Sequence, residues 1–165
     1  MSTTRFAIIG CGFVADYYMT TLANHPDLVL TGVWDRDEAR LRQFCAYHKV
    51  TAYESLDAVL HDASVTLIDN LTTPESHFEI SKAALMAKKH VYSEKPLAMT
   101  YVEAQDLVAF ADNRHVTLCA APANGLSDAH AIVSAQLVAG AIGAPRPVYA
   151  AMEAGPVFRE KWQNW

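Results

Sequence analysis

The stretch Arg5-Phe6-Ala7-Ile8-Ile9-Gly10-Cys11-Gly12-Phe13-Val14-Ala15 decides the fold of this chain. It predicts a buried strand that turns at Gly10 into a helix. Because Gly12 has no side chain, backbone N–H groups at the turn can approach an anion, and the positive end of the helix dipole points at the same place. The predicted contacts of a dinucleotide pyrophosphate are therefore Gly10, Gly12 and the amides of Phe13 and Val14.

An acidic residue, Asp35, follows the apolar run 28–34, about twenty residues beyond the turn, as is typical of dinucleotide-binding folds. A carboxylate there accepts the hydroxyls of the adenosine ribose and repels a 2′-phosphate, which favours NAD over NADP. Arg36 keeps NADP possible, because a guanidinium pairs well with a phosphate. The competing interpretation is that Asp35 only caps the helix that starts near Asp37.

Composition limits the classes of protein to which the chain can belong. Its 165 residues are 52% hydrophobic and 19% charged, which predicts a globular domain. The net charge of −5 argues against general binding to nucleic acids or anionic membranes. Neither a membrane span nor a signal peptide is predicted, so we expect a cytoplasmic protein. The three cysteines show no CxxC spacing, and no metal site is expected.

Apolar runs alternate with helical patterns along most of the chain. Strands are predicted at 65–70, 90–93 and 116–120, and helices at 79–88 and 101–113. Strands separated by helices imply right-handed crossovers. The fold class predicted from this alternation is α/β, with a doubly wound parallel sheet.

The pattern changes after residue 122, where we place a domain boundary. Residues 1–122 are predicted to form the dinucleotide-binding domain, and residues 123–165 to begin a second, truncated domain. Ser127 can cap a helix that runs to about Ala139, and a strand is predicted over 146–152. Three large aromatic residues crowd the end of the chain: Phe158, Trp162 and Trp165. Such an end needs a covering surface, either from a longer polypeptide, which we favour, or from another subunit.

A second chemical signal, Ser93-Glu94-Lys95-Pro96-Leu97, follows the strand predicted at 90–93. Ligands bind at the carboxyl ends of such strands. Together with the glycine turn and Asp35, this segment resembles the oxidoreductase family named after glucose–fructose oxidoreductase and inositol dehydrogenase. The similarity covers the whole chain. It implies a Rossmann dinucleotide-binding domain followed by an α/β substrate domain that also builds homo-oligomers. It also implies hydride exchange between NAD(P) and a small-molecule substrate, a sugar, polyol or related hydroxy or keto compound.

The resemblance assigns a catalytic role to Lys95, beside the nicotinamide and the reacting carbon. Its ammonium would donate a hydrogen bond to the substrate oxygen and stabilise the charge that develops there. Glu94 would either hold Lys95 or bind the nicotinamide ribose. The competing interpretation is a strand-end turn that carries a surface ion pair.

The segment 70–77 resembles the family's Thr-Pro-x-x-x-His loop, with Thr73 where proline usually stands. The resemblance implies that Thr72 and Pro74 line the ribose side of the cofactor. His77 is expected near the start of the next helix, either in contact with the cofactor or as a partly buried residue that makes one hydrogen bond.

The general base of the family is a histidine of the second domain, which we expect beyond residue 165. The chain by itself should therefore bind cofactor and catalyse poorly. A non-catalytic dinucleotide-binding sensor of the same family is the alternative function. A methyltransferase would share the glycine turn, but it offers no reason for Glu-Lys-Pro.

Overall fold

Strands and helices alternate along the chain in the computed structural model, which describes residues 3–122 and 127–149. The strands β1 to β5 are Thr4–Ile9, Leu28–Trp34, Leu67–Asn70, His90–Ser93 and Leu118–Ala120. The helices α1 to α6 are Phe13–Leu22, Glu38–His48, Leu56–His61, Pro74–Met86, Tyr101–Arg114 and Asp128–Val138.

The described strands form one parallel sheet in the order β2-β1-β3-β4-β5. The chain moves outward from β1 to β2 and then returns to the other side of β1, so the order reverses between β1 and β3. Ligands bind at such a reversal, outside the carboxyl ends of the strands. In this protein the reversal lies where β1 ends in Ile9 and β3 ends in Asn70.

Two apolar cores cover the two faces of the sheet, because alternate residues of a strand point to opposite sides. Phe6 and Ile8 pack with residues of α1 and α2, such as Ala15 and Phe44. The other face, which includes Ile9, packs with residues of α3, α4 and α5. Helices therefore lie on both faces, and the predicted doubly wound parallel sheet is confirmed.

Most predicted elements are present, with different ends. The helix predicted to begin at Glu79 begins at Pro74, because proline is favourable in the first turn of a helix and fixes its backbone there. The strand predicted from residue 116 begins at Leu118. Thr100 and Glu103 form a capping box at the start of α5.

The chain divides into two compact units, Met1–Pro122 and Ala123–Trp165. In the second unit Ser127 caps α6, as predicted from the sequence. The strand predicted over 146–152 is wrong for 146–149, which have no strand structure, and 150–152 lie outside the described residues. A strand requires a hydrogen-bonded partner, and residues 127–149 contain none. The aromatic residues at 158, 162 and 165 also lie outside the described part. Among the described helices, none has the length and apolar character needed to span a membrane.

Candidate functional site

The turn between β1 and α1 lies against the loop that follows β3. Gly10 has a φ of +98°, and a Cβ atom there would lie 2.7 Å from the backbone of Leu71 and Thr72. Any side chain at this position would therefore clash with backbone atoms that cannot move aside. Glycine at position 10 is required by the fold itself, because the two loops at the sheet reversal approach each other closely.

Gly12 has a different surrounding. It is the N-cap of α1, and a Cβ atom placed on it would meet no described atom within 4 Å. The open space lies at the positive end of the helix dipole, in front of the first N–H groups of the helix. Phe13 is half exposed and Val14 is partly buried beside it. Ala15 is completely buried in the core, which brings α1 close to the sheet. An anion therefore fits this helix end.

Asp35 connects the end of β2 to the glycine turn. Its Oδ2 accepts a hydrogen bond from the Cys11 amide at 2.7 Å, and its Oδ1 accepts one from the Asp37 amide at 2.8 Å. The residue is 7% exposed. Each carboxylate oxygen has two lone pairs and can accept one more hydrogen bond. The cap of α2 is Asp37, which accepts from the Ala39 and Arg40 amides, so the interpretation of Asp35 as the cap is wrong.

Two arginines follow β2. Arg36 is exposed. Arg40, on the first turn of α2, was not singled out from the sequence, and its guanidinium lies 3.9 Å from the Asp35 carboxylate. Four residues separate Arg40 from Asp35 in the sequence, and the first turn of α2 places the Arg40 side chain close to the Asp35 carboxylate. The amide of Arg40 is also the main cause that lowers the pKa of Asp37, ahead of the Ala39 amide.

The loop after β3 is held by a buried asparagine. Asn70 is fully buried, and its side-chain amide donates to the His77 carbonyl and to the Ser81 hydroxyl, both at 3.0 Å. Its Oδ1 accepts a hydrogen bond from the Thr72 hydroxyl at 2.7 Å. Pro74 begins α4 and is partly exposed. Thr73, where the family usually has proline, is the N-cap of α4 with a φ of −75°, and Pro74 occupies the first position of the helix.

His77 lies in the first turn of α4 and is 1% exposed. Its Nδ1 is 2.6 Å from the Pro96 carbonyl oxygen, and its Nε2 is 3.0 Å from the Thr72 carbonyl oxygen. Both ring nitrogens are thus directed at backbone oxygens of the protein. The sequence predicted either a cofactor contact or a single hydrogen bond; the ring has two backbone oxygens within hydrogen-bond distance rather than one, and the cofactor contact stays a prediction.

The Glu-Lys-Pro turn follows β4 and is tied to its neighbours. The Glu94 amide donates to the Asn70 carbonyl at 2.9 Å, and the Glu94 carboxylate accepts from the Tyr18 hydroxyl at 2.9 Å and from the Lys95 amide at 3.1 Å. Lys95 is exposed, and the Lys95–Pro96 peptide bond is cis. Burial, followed by hydrogen bonds to Tyr92 and Glu94, raises the pKa of Tyr18 above its ordinary value.

A buried carboxyl group lies beneath this turn and was missed from the sequence. Asp69 is 6% exposed, and its Oδ1 has no hydrogen-bond partner. Burial, followed by the charge of Glu94, raises its pKa to about 8. Asp69 lines a mostly apolar cavity of about 270 Å³ beside α1, together with Tyr18 and Tyr92. Alternation along β3 could have predicted that it faces inward, but its lack of a partner is visible only in three dimensions.

The sequence-predicted residues gather at one edge of the sheet. The glycine turn follows β1, Asp35 and Arg36 follow β2, and Glu94 and Lys95 follow β4. Thr72, Pro74 and His77 follow β3 at the same edge. A parallel doubly wound sheet with a glycine turn, an open helix end and a carboxylate at the next strand defines a dinucleotide-binding Rossmann domain.

A family model described as "Oxidoreductase family, NAD-binding Rossmann fold" matches residues 4–121. The chain belongs to this oxidoreductase family, which confirms the resemblance found in the sequence.

Two curated relatives extend the comparison. UDP-N-acetylglucosamine 3-dehydrogenase of Acidithiobacillus ferrooxidans is 30% identical over 114 residues, which cover 69% of this chain and 35% of the relative. The dTDP-3,4-didehydro-2,6-dideoxy-alpha-D-glucose 3-reductase of Streptomyces antibioticus is 30% identical over 153 residues, covering 92% of this chain and 47% of the relative. The chain therefore spans between a third and a half of the length of these two relatives.

Among solved structures, GenD2 from gentamicin A biosynthesis in complex with NAD superposes with a TM-score of 0.68 at 28% identity. The match covers 73% of this chain and 34% of GenD2.

Proposed function

We propose that this chain is the cofactor-binding part of an NAD(P)-dependent oxidoreductase that transfers a hydride between nicotinamide and a CH–OH group. The open space at Gly12, in front of the α1 N-terminus and close to the Asp35 carboxylate, is the observation that carries the proposal. A pyrophosphate satisfies the first N–H groups of a helix and interacts favourably with its dipole. Gly10 and Gly12, with the amides of Phe13 and Val14, form this part of the site.

The two ends of the cofactor have different partners in this proposal. The remaining lone pairs of the Asp35 carboxylate accept the adenosine ribose hydroxyls, and exposed Arg36 lies at the same end. Thr72 and Pro74 line the ribose side of the cofactor, and Glu94, whose carboxylate accepts from the Lys95 amide, either holds Lys95 or binds the nicotinamide ribose. We assign no direct cofactor contact to His77, because its ring nitrogens are directed at backbone oxygens.

Bound nicotinamide accepts or supplies the hydride, and the chain contributes the electrostatics around it. Lys95 donates a hydrogen bond to the substrate oxygen, where negative charge develops as the hydride leaves or arrives. It is exposed at the carboxyl end of β4, on the edge that holds the other site residues. The general base is proposed to lie beyond residue 165, together with the surface that forms a homo-oligomer.

A sugar, polyol or related hydroxy or keto compound is the proposed substrate class. Two relatives support this class, since both are named for oxidoreduction at position 3 of a nucleotide-linked sugar. The second candidate function is a non-catalytic sensor of the cofactor, which would use the same binding residues without Lys95 chemistry.

Titration with NADH and NADPH, followed by nicotinamide fluorescence, tests the binding step. We expect saturable binding with NADH preferred, and absence of binding for both would refute the proposal. In the full-length protein, Lys95→Ala should lower turnover by at least about a hundredfold and change cofactor affinity by less than about threefold. Arg42→Ala, which removes an exposed charge on α2, is the matched control and should leave both unchanged. Binding without turnover on any sugar or polyol would favour the sensor.

A further inference from the structure

The His77 side chain occupies a position between two loops of the site. Its ring is buried, with Nδ1 at 2.6 Å from the Pro96 oxygen and Nε2 at 3.0 Å from the Thr72 oxygen. Thr72 belongs to the loop after β3, and Pro96 to the turn after β4. One side chain therefore spans the gap between the segment proposed to line the ribose and the segment that carries Lys95.

The chemistry of the two contacts limits what His77 can do. Both partners are carbonyl oxygens, which only accept hydrogen bonds, so a ring nitrogen bonds its carbonyl oxygen through an N–H; the neutral imidazole, which carries one N–H, donates to one of the two oxygens, and the imidazolium donates to both. Because both ring nitrogens lie within hydrogen-bond distance of backbone oxygens and the ring is buried, neither is directed at a ligand. The contact with the Pro96 oxygen is the shorter of the two.

The surrounding hydrogen bonds reinforce the same connection. Asn70 donates to the His77 carbonyl and accepts from the Thr72 hydroxyl, so the β3 loop is held both by a side chain and by the start of α4. The backbone carbonyl of Asn70 accepts from the Glu94 amide on the other side. In this buried set, His77 is the member whose side chain reaches both loops.

We propose that His77 is a positioning residue that fixes the separation between the Thr72 loop and the Lys95–Pro96 turn without touching cofactor or substrate. The carbonyl it holds belongs to the residue directly after Lys95, so loss of the contact releases the backbone that aims the ammonium. The consequence for turnover rests on the proposed function, but the mechanical connection does not.

Two conservative variants test the contact with Pro96 and the contact with Thr72 separately. The amide nitrogen of asparagine occupies the position of histidine Nδ1, and that of glutamine occupies the position of Nε2. His77→Asn therefore retains the contact with Pro96, and His77→Gln retains the contact with Thr72. His77→Leu removes both, and His61→Leu, at an exposed histidine on α3, is the matched control.

Hydrogen exchange of the backbone amides in the purified chain reads each loop separately. Relative to wild type, His77→Leu should exchange about tenfold faster at both Thr72 and Lys95. His77→Asn should restore slow exchange at Lys95 alone, and His77→Gln at Thr72 alone. Equal acceleration across α4 and the sheet in all three variants, or wild-type exchange in both loops of His77→Leu, would overturn the proposal. If the leucine variant does not fold, the asparagine and glutamine variants still decide between these outcomes.

NADH titration in parallel keeps the two proposals distinct. We expect His77→Asn to bind NADH within about threefold of wild type, and His77→Leu in the full-length protein to lose about tenfold in kcat at saturating cofactor. Failure of the wild-type chain to bind NADH would refute the proposed function and leave the exchange result valid. A loss of NADH affinity in His77→Leu that exceeds its loss in kcat would show a direct cofactor contact instead.

Discussion

The Asp35 carboxylate accepts a hydrogen bond from the Cys11 amide at 2.7 Å. This contact joins the end of β2 to the middle of the glycine turn, 24 residues earlier in the chain. Asp35 thus has a structural role at the turn in addition to its proposed contact with the ribose. Burial, followed by the charge of Asp35, raises the pKa of the Cys11 thiol to about 12, so this side chain remains a neutral packing group.

Asp35→Ala should weaken NADH binding and narrow the preference for NADH over NADPH. The alanine removes an acceptor for the ribose hydroxyls, a repulsive charge for a 2′-phosphate, and the partner of the Cys11 amide. We expect a loss of at least about tenfold in NADH affinity, measured by fluorescence titration. Asp37→Ala is the control, since it removes the cap of α2 and leaves the Cys11 contact in place. An unchanged ratio of the two affinities in Asp35→Ala would contradict the assignment.

Alanine at Gly10 should mainly lower the stability of the fold, whereas alanine at Gly12 should mainly lower the affinity for NADH. Gly10→Ala should destabilise the fold by more than about 2 kcal/mol, because its φ is positive and its Cβ would meet the Leu71 backbone at 2.7 Å. Gly12→Ala fits the open space, and its cost of at most about 1 kcal/mol reflects a poorer helix cap. Its NADH affinity should nevertheless fall by at least about tenfold, since the methyl group occupies the pyrophosphate position. Thermal unfolding and NADH titration of both variants test this; full affinity in Gly12→Ala would exclude the helix end as the binding site.

Patterns within short stretches of sequence were enough to predict the parallel sheet and the part of the site formed by the glycine turn and Asp35. The alternation of apolar runs and helices predicted the doubly wound fold, and the glycine turn and Asp35 lie at the carboxyl ends of two neighbouring strands, β1 and β2, as expected. These features depend on residues within a strand, a turn and a helix. The start of α4 was placed five residues too late, because the predicted apolar face begins after the polar first turn, which Pro74 already initiates.

Contacts between distant segments could not be predicted in the same way. The sequence gives no spacing that connects His77 with Pro96, because their separation depends on how α4 and the β4 turn pack. The hydrogen bond from Tyr18 to Glu94 joins residues 76 positions apart. No motif in the sequence marks Tyr18, although its hydroxyl reaches the Glu-Lys-Pro turn.

Tyr18→Phe should lower stability through the loss of one hydrogen bond. Its hydroxyl donates to the Glu94 carboxylate at 2.9 Å in a partly buried position, and such bonds to charged groups contribute about 1.5 to 3 kcal/mol. Tyr17→Phe, one residue earlier and 66% exposed, is the control and should change the unfolding free energy by less than about 0.5 kcal/mol. Urea denaturation measures both. Equal stability of the two variants would show that the Tyr18 contact contributes nothing to the fold.

Asp69 should make the folded state less stable as the pH rises. Burial raises its pKa from 3.8 to about 8 in the folded protein. Between these values the folded state therefore holds a proton that the unfolded state has lost. Stability is consequently highest at the acidic end of that range, and it falls with a slope of up to about 1.4 kcal/mol per pH unit until the folded carboxyl ionises.

Asp69→Asn removes this dependence, because the amide resembles the protonated carboxyl group and does not titrate. At about pH 3, below both pKa values, the variant and wild type should agree within roughly 1 kcal/mol, and at about pH 8 the variant should be more stable by at least about 2 kcal/mol. Asp62→Asn is the control, because the pKa of Asp62 is shifted in the opposite direction and the pH dependence of its stability effect is therefore reversed. Hydrogen bonds from Tyr53 and Ser64 lower the pKa of Asp62 to about 2, so its loss should destabilise the protein at neutral pH, by an amount that shrinks as the pH falls from 3.8 towards 2. Urea denaturation across this pH range measures both variants, and parallel curves for Asp69→Asn and wild type would show that Asp69 ionises normally.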